Sequence, residues 1–135
     1  MKDIVDSHLI SEKPLGTFLS GGLDSSVITK MYADNNNKRF NTYTAEFEGK
    51  DNQDLYYANN LAKDIKTNHS VISLDSENFL NYIDELIHYL DEPLYDSSMA
   101  ASYALSKAAK KDGITVLLAG TGADEILGGF KRYYY

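Results

Sequence analysis

No cysteine occurs in the 135-residue chain, so disulfides, thiolate metal sites and a cysteine nucleophile are excluded. Basic residues are scarce as well: 13 Lys and Arg stand against 20 Asp and Glu, a formal charge of −7. A surface of that sign lacks the basic patch a nucleic-acid partner needs, although a nucleotide can still be held locally by main-chain amides and a metal ion. No apolar run approaches the roughly 18 residues of a membrane span, and no basic-then-apolar leader opens the chain. A cytoplasmic protein without membrane contact is therefore predicted. Internal repeats and low-complexity linkers are missing too. What remains, 43% hydrophobic and 24% charged residues, predicts one globular domain, residues 1–135, with a sizeable core.

The two common phosphate fingerprints are also missing, both the G-x-G-x-x-G spacing and the Gly-Lys-Ser/Thr ending. In their place stands Leu19-Ser20-Gly21-Gly22-Leu23-Asp24-Ser25-Ser26. Pro14 to Leu19 ahead of it is a short apolar run, as in a buried strand, and Val27, Ile28 and Met31 behind it recur at helical spacing. The stretch is thus a strand-to-helix turn. Its glycines let backbone pass close to a ligand, its serines offer hydroxyls, and the first-turn amides of the helix point outward toward an anion. Asp24 would repel phosphate unless a cation intervened, which points to Mg²⁺ between its carboxylate and phosphate oxygens. The alternative is a plain turn capped by Asp24 or Ser25.

Strands and helices alternate along the rest of the chain. Residues 2–11 predict a helix, Leu15 to Leu19 a first strand, and Asp24 to about Asp34 a helix ending in Asn35-Asn36-Asn37. Arg39 to Phe47 predicts a second strand, and a polar loop from Gly49 to Asn52 leads to a helix with Leu55, Ala58, Leu61, Ala62 and Ile65 on one face. Ser70 to Leu74 is a third strand, followed by a helix capped by Asp75 or Ser76, carrying Phe79 to Leu90 and stopped by Pro93. A helix over Ser97 to Lys111, closed by Gly113, precedes Ile114 to Ala119, the most hydrophobic strand and so expected at the sheet centre. The pattern predicts an α/β fold, a Rossmann-like, doubly wound, mainly parallel sheet flanked by helices, with ligands outside the carboxyl ends of the strands.

The last strand runs into Ala119-Gly120-Thr121-Gly122-Ala123-Asp124-Glu125-Ile126-Leu127-Gly128-Gly129-Phe130, with four glycines between Gly120 and Gly129. Asp124 is placed as a second carboxylate for the metal; alternatively Asp124 and Glu125 simply complement a helix dipole. Leu90-Asp91-Glu92-Pro93-Leu94-Tyr95-Asp96-Ser97-Ser98 is either a site-facing loop or a helix stop followed by a serine cap. Ala45 is small enough for close backbone contact or for strand packing. His8, His69 and His88 are scattered and read as structural, and Lys131, Arg132 and the terminal tyrosines as an exposed end.

The eight-residue turn resembles the pyrophosphate loop of the N-type ATP pyrophosphatases, whose fold is adenine nucleotide alpha hydrolase-like. The second glycine-rich string and Leu90 to Pro93 are similar to segments of the asparagine synthetase branch, including its Ser-Gly-Glu-Gly-x-Asp-Glu-x-x-Gly-Gly-Tyr run. The resemblance implies ATP and Mg²⁺ as cofactors. It implies adenylation of a carboxylate such as aspartate, with release of pyrophosphate and then amide formation with ammonia. ATP contacts would fall to Leu19, Ser20, Gly21, Gly22, Asp24, Ser25, Ser26, Ala45, Ala119 and Gly120, metal contacts to Asp24 and Asp124, and substrate contacts to Asp91, Glu92 and Ser97. Asp24 is the catalytic candidate, with Thr121 at the position of the family's glutamate.

Threonine cannot serve as a general base near neutral pH, so the acceptor is open at that position. A nucleotide-binding or interaction module without synthetase activity, or an amide-forming relative with another acceptor, are the alternatives. The family's amino-terminal glutaminase domain and its later lysine have no counterpart here. The chain thus looks like the nucleotide-binding half of a synthetase domain, with a glutaminase domain or subunit as the implied partner.

Overall fold

The computed structural model describes residues 13–36, 38–49, 53–92, 96 and 98–129. The expected helix over 2–11, His8, Asn37, most of the loop before residue 53, Pro93, Ser97 and the terminal Lys131, Arg132 and tyrosines lie outside them. The elements are β1 (Leu15–Phe18), α1 (Leu23–Asn35), β2 (Asn41–Phe47), α2 (Gln53–Asp64), β3 (Asn68–Leu74), α3 (Ser76–Ile87), α4 (Ser98–Lys111), β4 (Val116–Leu118) and α5 (Ala123–Leu127). The strands form one parallel sheet in the order β3-β2-β1-β4. From β1 the chain winds outward through β2 to β3, then crosses back to place β4 on the other side of β1. The order therefore reverses between β1 and β4, and the loops leaving these two strands diverge around a crevice.

Alternation along the strands sorts the core into two layers. Phe18, Tyr43, Ala45, Ile72 and Leu117 face α4, where Ala101, Ala104, Leu105 and Ala109 are buried against the sheet. Small residues on α4 let the helix lie close. α3 completes that layer by packing Tyr82 inward, and Glu85 accepts from Tyr103 Oη (2.9 Å) and Lys107 Nζ (2.7 Å), joining α3 to α4. On the other face Leu19 packs on Ala58 and Ala62 of α2. That face is also lined by buried threonines, each with a partner. Thr29 donates to Thr17 (3.0 Å), and Thr44 donates to the Leu19 carbonyl.

Several boundaries differ from the sequence reading. β4 is an edge strand among the described residues, because its pairing is with β1 alone. The central strands instead carry threonines whose buried hydroxyls each have a partner, Thr17 with Thr29, Thr42 with Thr67 and Thr44 with the Leu19 carbonyl. α3 ends at Ile87, short of Pro93, because the Tyr89 and Leu90 amides turn to Leu86 and Ile87 in tighter bonds. Asp75 caps α3 by accepting from the Asn78 amide at 2.7 Å, as expected. At α4 the Ser98 amide donates to the Asp96 carboxylate (2.8 Å), and this bond holds Asp96 below the usual carboxylate range. Among the described residues no helix is long and apolar enough to cross a membrane.

His69 has the structural role its sequence position suggested. Thr67 Oγ1 donates to the Ala62 carbonyl, and Thr42 Oγ1 lies 2.9 Å from Thr67 Oγ1 and 2.8 Å from His69 Nδ1. Each hydroxyl has one proton, so Thr42 donates to Thr67, and Nδ1–H of His69 donates to Thr42. Nε2 is then a bare acceptor, buried without a partner among the described residues. Burial lowers the His69 pKa from 6.5, because a protonated ring would bury an unpaired charge. The neutral ring's contribution is complete above the unfolded value and is lost as the pH falls through the folded one. The unfolding free energy is expected to drop by up to about 1.4 kcal/mol per pH unit over that window. Urea titrations between roughly pH 7.5 and 5 check this, and His69→Gln should flatten the slope; an equal slope in the variant would reject it.

Candidate functional site

The loop leaving β1 is a scaffold built mostly from its own hydroxyls. Leu19 is fully buried, and its amide donates to the Tyr43 carbonyl at 2.9 Å, extending the strand pairing by one residue. The chain then turns sharply. Ser25 Oγ accepts from the Ser20 amide (3.1 Å) and lies 2.9 Å from Ser20 Oγ, which accepts in turn from the Gly22 amide (3.3 Å). The Gly22 carbonyl receives the Ser25 and Ser26 hydroxyls (3.2 and 2.7 Å) and the Ser26 amide (3.1 Å). The serine hydroxyls are therefore spent on holding the loop's shape, where the sequence suggested ligand contacts. Gly22 is the N-cap of α1, without a side-chain cap, so neither Asp24 nor Ser25 plays that part.

The amides of Gly21, Leu23 and Asp24 are left without an acceptor among the described residues. They stand at the start of a helix of 13 residues, where the dipole favours negative charge. The arrangement is a nest for an anion, framed by hydroxyls that already have partners.

Two close approaches fix where the nest sits. Gly21 has φ +87°, and a Cβ on it would overlap the Asp54 carbonyl oxygen at the start of α2. A Cβ on Gly120 would come within 2.9 Å of the Ser25 nitrogen and 3.2 Å of Asp24 Cβ. Only glycine lets the loop after β4 lie on the first turn of α1. The two glycine-rich motifs, far apart in sequence, thus meet at the point where the strand order reverses.

The acidic candidates divide. Asp24 projects from the turn that Gly120 touches and has no hydrogen-bond or ion-pair partner among the described residues. The Asp124 carboxylate turns toward Gly129 at the far end of its own short helix. Among the described residues no group of three or more His, Asp or Glu could hold a metal ion. A divalent ion here would take most of its ligands from phosphate oxygens and water, the habit of magnesium. Thr121 and Ala119 are exposed in the β4 loop. Asp91 and Glu92 are exposed on the bend after α3 and do not line the cavity described next; Ser97 lies outside the described residues.

Beside the nest, on the α4 face, a cavity of about 330 Å³ opens at the carboxyl ends of β1 and β2. Phe18, Tyr43, Phe47 and Leu105 give it apolar walls, with Ser20, Ala45, Asp54, Ser98 and Ser102 also lining it. The size and balance suit a flat organic ring with a few polar edges. Leu19, Ser20 and Ala45 were candidates from sequence and also line the cavity. Asp54, Phe47, Ser98 and Ser102 were not, because nothing local marks them; the fold alone brings α2 and α4 to this opening.

A family profile described as asparagine synthase matches residues 1–135. The glutamine-hydrolyzing asparagine synthetase 1 of Bacillus subtilis is 33% identical over 131 residues, 97% of this chain and 20% of that protein. The glutamine-hydrolyzing asparagine synthetase B of Escherichia coli is 32% identical over 151 residues, 99% of this chain and 26% of that protein. The chain thus spans a fifth to a quarter of the length of these relatives. Among solved structures, the tRNA thiolase NcsA of Methanococcus maripaludis superposes with a TM-score of 0.66 at 14% identity, over 97% of this chain and 50% of that one. The NH3-dependent NAD synthetase of Campylobacter jejuni gives 0.61 at 14% identity, over 96% and 57%. At such identity the likeness is one of fold.

Proposed function

The chain belongs to the asparagine synthase family, and from that premise we propose that it binds ATP with Mg²⁺ for adenylation of a carboxylate, aspartate being the first candidate. The observation that carries this reading is the contact of Gly120 with Asp24 and Ser25, which joins both motif loops around unpaired amides. The cavity between β1, β2 and α4 takes the adenine, with the Ala45 main chain at its edge. The Gly21, Leu23 and Asp24 amides take phosphate oxygens.

In the reaction a carboxylate oxygen attacks the α-phosphorus, the bond to pyrophosphate breaks, and an acyl adenylate forms. An amine, ammonia in the simplest case, then displaces AMP and leaves an amide. The amides serve the step in which charge collects on pyrophosphate, and they need no reorganisation because the serine scaffold already fixes them. Mg²⁺, held by Asp24 with phosphate oxygens and water, would neutralise part of that charge, and Asp124 would join only if its carboxylate turned from Gly129 toward the nest. Thr121 offers a hydroxyl where a general base would be needed, so the amine must arrive unprotonated or lose its proton elsewhere.

Millimolar ATP with Mg²⁺ is expected to raise the melting temperature, by a few degrees if Kd lies near 0.1 mM. Pyrophosphate release in the presence of aspartate and ammonia reports turnover. No shift at all would reject the proposal. A shift without pyrophosphate would favour a second reading, a nucleotide-binding module without turnover. Thr121 speaks for that reading.

A further inference from the structure

We propose that a second binding site, for a small organic dianion with an apolar body, lies at the amino ends of the strands, on the side opposite the phosphate nest. A cavity of about 450 Å³ opens there, between the end of α1 and the starts of β1 and β2. It is larger than the cavity beside the nest and of a size that holds small ligands. Lys13, Lys38 and Arg39 line it, and among the described residues no Asp or Glu does. In a chain of formal charge −7 that is a local reversal of sign. The lining also includes the buried Leu15 and Phe40, and the Tyr32 ring, which is tilted against Phe40 with 4.3 Å between centroids. Cations beside an apolar wall suit an anion that carries a ring or a short hydrocarbon chain.

The fold itself does not use up these charges. The last turn of α1 holds no basic residue, so Lys38 and Arg39 just beyond it complement the carbonyl end of the helix. That end carries only about half a negative charge, less than either side chain supplies alone. α4, which ends on the same side of the sheet, has Lys110 and Lys111 in its own last turn. Lys38 and Arg39 are exposed, and neither has an ion pair or a side-chain hydrogen bond among the described residues. Lys13 has an interaction of its own and adds only its charge. A guanidinium fork takes two oxygens of one carboxylate or phosphate, and a neighbouring ammonium takes a second charge. A phosphate monoester and a dicarboxylate share that chemistry. α1, with 13 residues and so about 20 Å long, separates this cavity from the nest at its other end.

The test titrates the chain with phenyl phosphate and with phthalate, followed by amide chemical shifts and by calorimetry. Inorganic phosphate supplies charge without a body, and benzamide a body without charge. Wild type should bind at least one of the two dianions with Kd of about 1 mM or tighter. The shifts should centre on the amides of Phe40, Asn41 and Ile114, which line the cavity. The tighter dianion then assigns the head group as phosphate or carboxylate. Inorganic phosphate and benzamide should each bind at least about tenfold more weakly. Lys38→Gln combined with Arg39→Gln should lose about tenfold or more, whereas Lys38→Arg with Arg39→Lys, which keeps both charges, should stay within about threefold of wild type. Both side chains are exposed, so each double variant should melt close to wild type. Shifts confined to residues 20–26 would put the anion in the nest and overturn the site. So would undiminished binding in the glutamine variant, inorganic phosphate or benzamide binding as well as the dianions, or no shift with either dianion at about 10 mM. None of these outcomes touches the ATP reading, which concerns the other end of α1.

Discussion

Gly21→Ala is expected to abolish nucleotide binding and to destabilise the fold by about 2 to 4 kcal/mol. Two costs add. At φ +87° a side chain is disfavoured, by roughly 1 to 2 kcal/mol. The new methyl would also overlap the Asp54 carbonyl oxygen and come within 2.6 Å of its carbon. Backbone cannot swing aside as a side chain can. α2 is pinned by Ala58 and Ala62 against the fully buried Leu19, so the loop must yield, and with it the open amides. Gly49→Ala is the matching control: its φ is +77°, yet a Cβ there meets nothing within 4 Å. It should cost about 1 kcal/mol and leave ATP binding intact. Urea unfolding and ATP titration of the two variants compare them directly. Equal stabilities, or retained binding in Gly21→Ala, would show that the contact with α2 does not shape the nest.

That contact marks the limit of what could be read from residue order. The turn from Leu19 to Ser26 was legible because its shape is local: strand, glycines and helix start follow within one short string. The alternation of strands and helices was legible for the same reason, since each element's apolar spacing is its own. The partners of Gly21 and Gly120 were not, because they come from α2 and α1 across the fold. β4 misled for a related cause. Hydrophobicity reports how much of a strand's two faces is covered, not how many strands flank it. β1 and β2, which do lie centrally, hide their burial behind Thr17, Thr42 and Thr44. The serines' part in the loop was not legible either. Their hydroxyls are needed, but by the loop, whose shape then leaves main-chain amides for a ligand.

This division of labour gives Asp24 its meaning and yields a prediction whose sign reverses with metal. The nest attracts phosphate through dipoles that carry no net charge, while the Asp24 carboxylate beside it carries a full negative charge without a partner among the described residues. Without a divalent ion that carboxylate opposes ATP; with one, it becomes a ligand that recruits the ion and its phosphate together. Wild-type affinity for ATP is therefore expected to fall at least tenfold, about 1.4 kcal/mol, when Mg²⁺ is replaced by EDTA. Asp24→Ala should bind weakly and equally in both conditions. In EDTA it should match or exceed wild type, because the repulsion is gone while the Gly21 and Leu23 amides remain. The fold should tolerate the change, since a first-turn acid on an exposed helix end contributes only about 0.3 to 1 kcal/mol. Isothermal titrations of both proteins in both buffers would decide it. An Asp24→Ala variant that keeps the full response to Mg²⁺ would move the metal away from this turn, and one weaker than wild type in EDTA would make Asp24 a structural part of the nest.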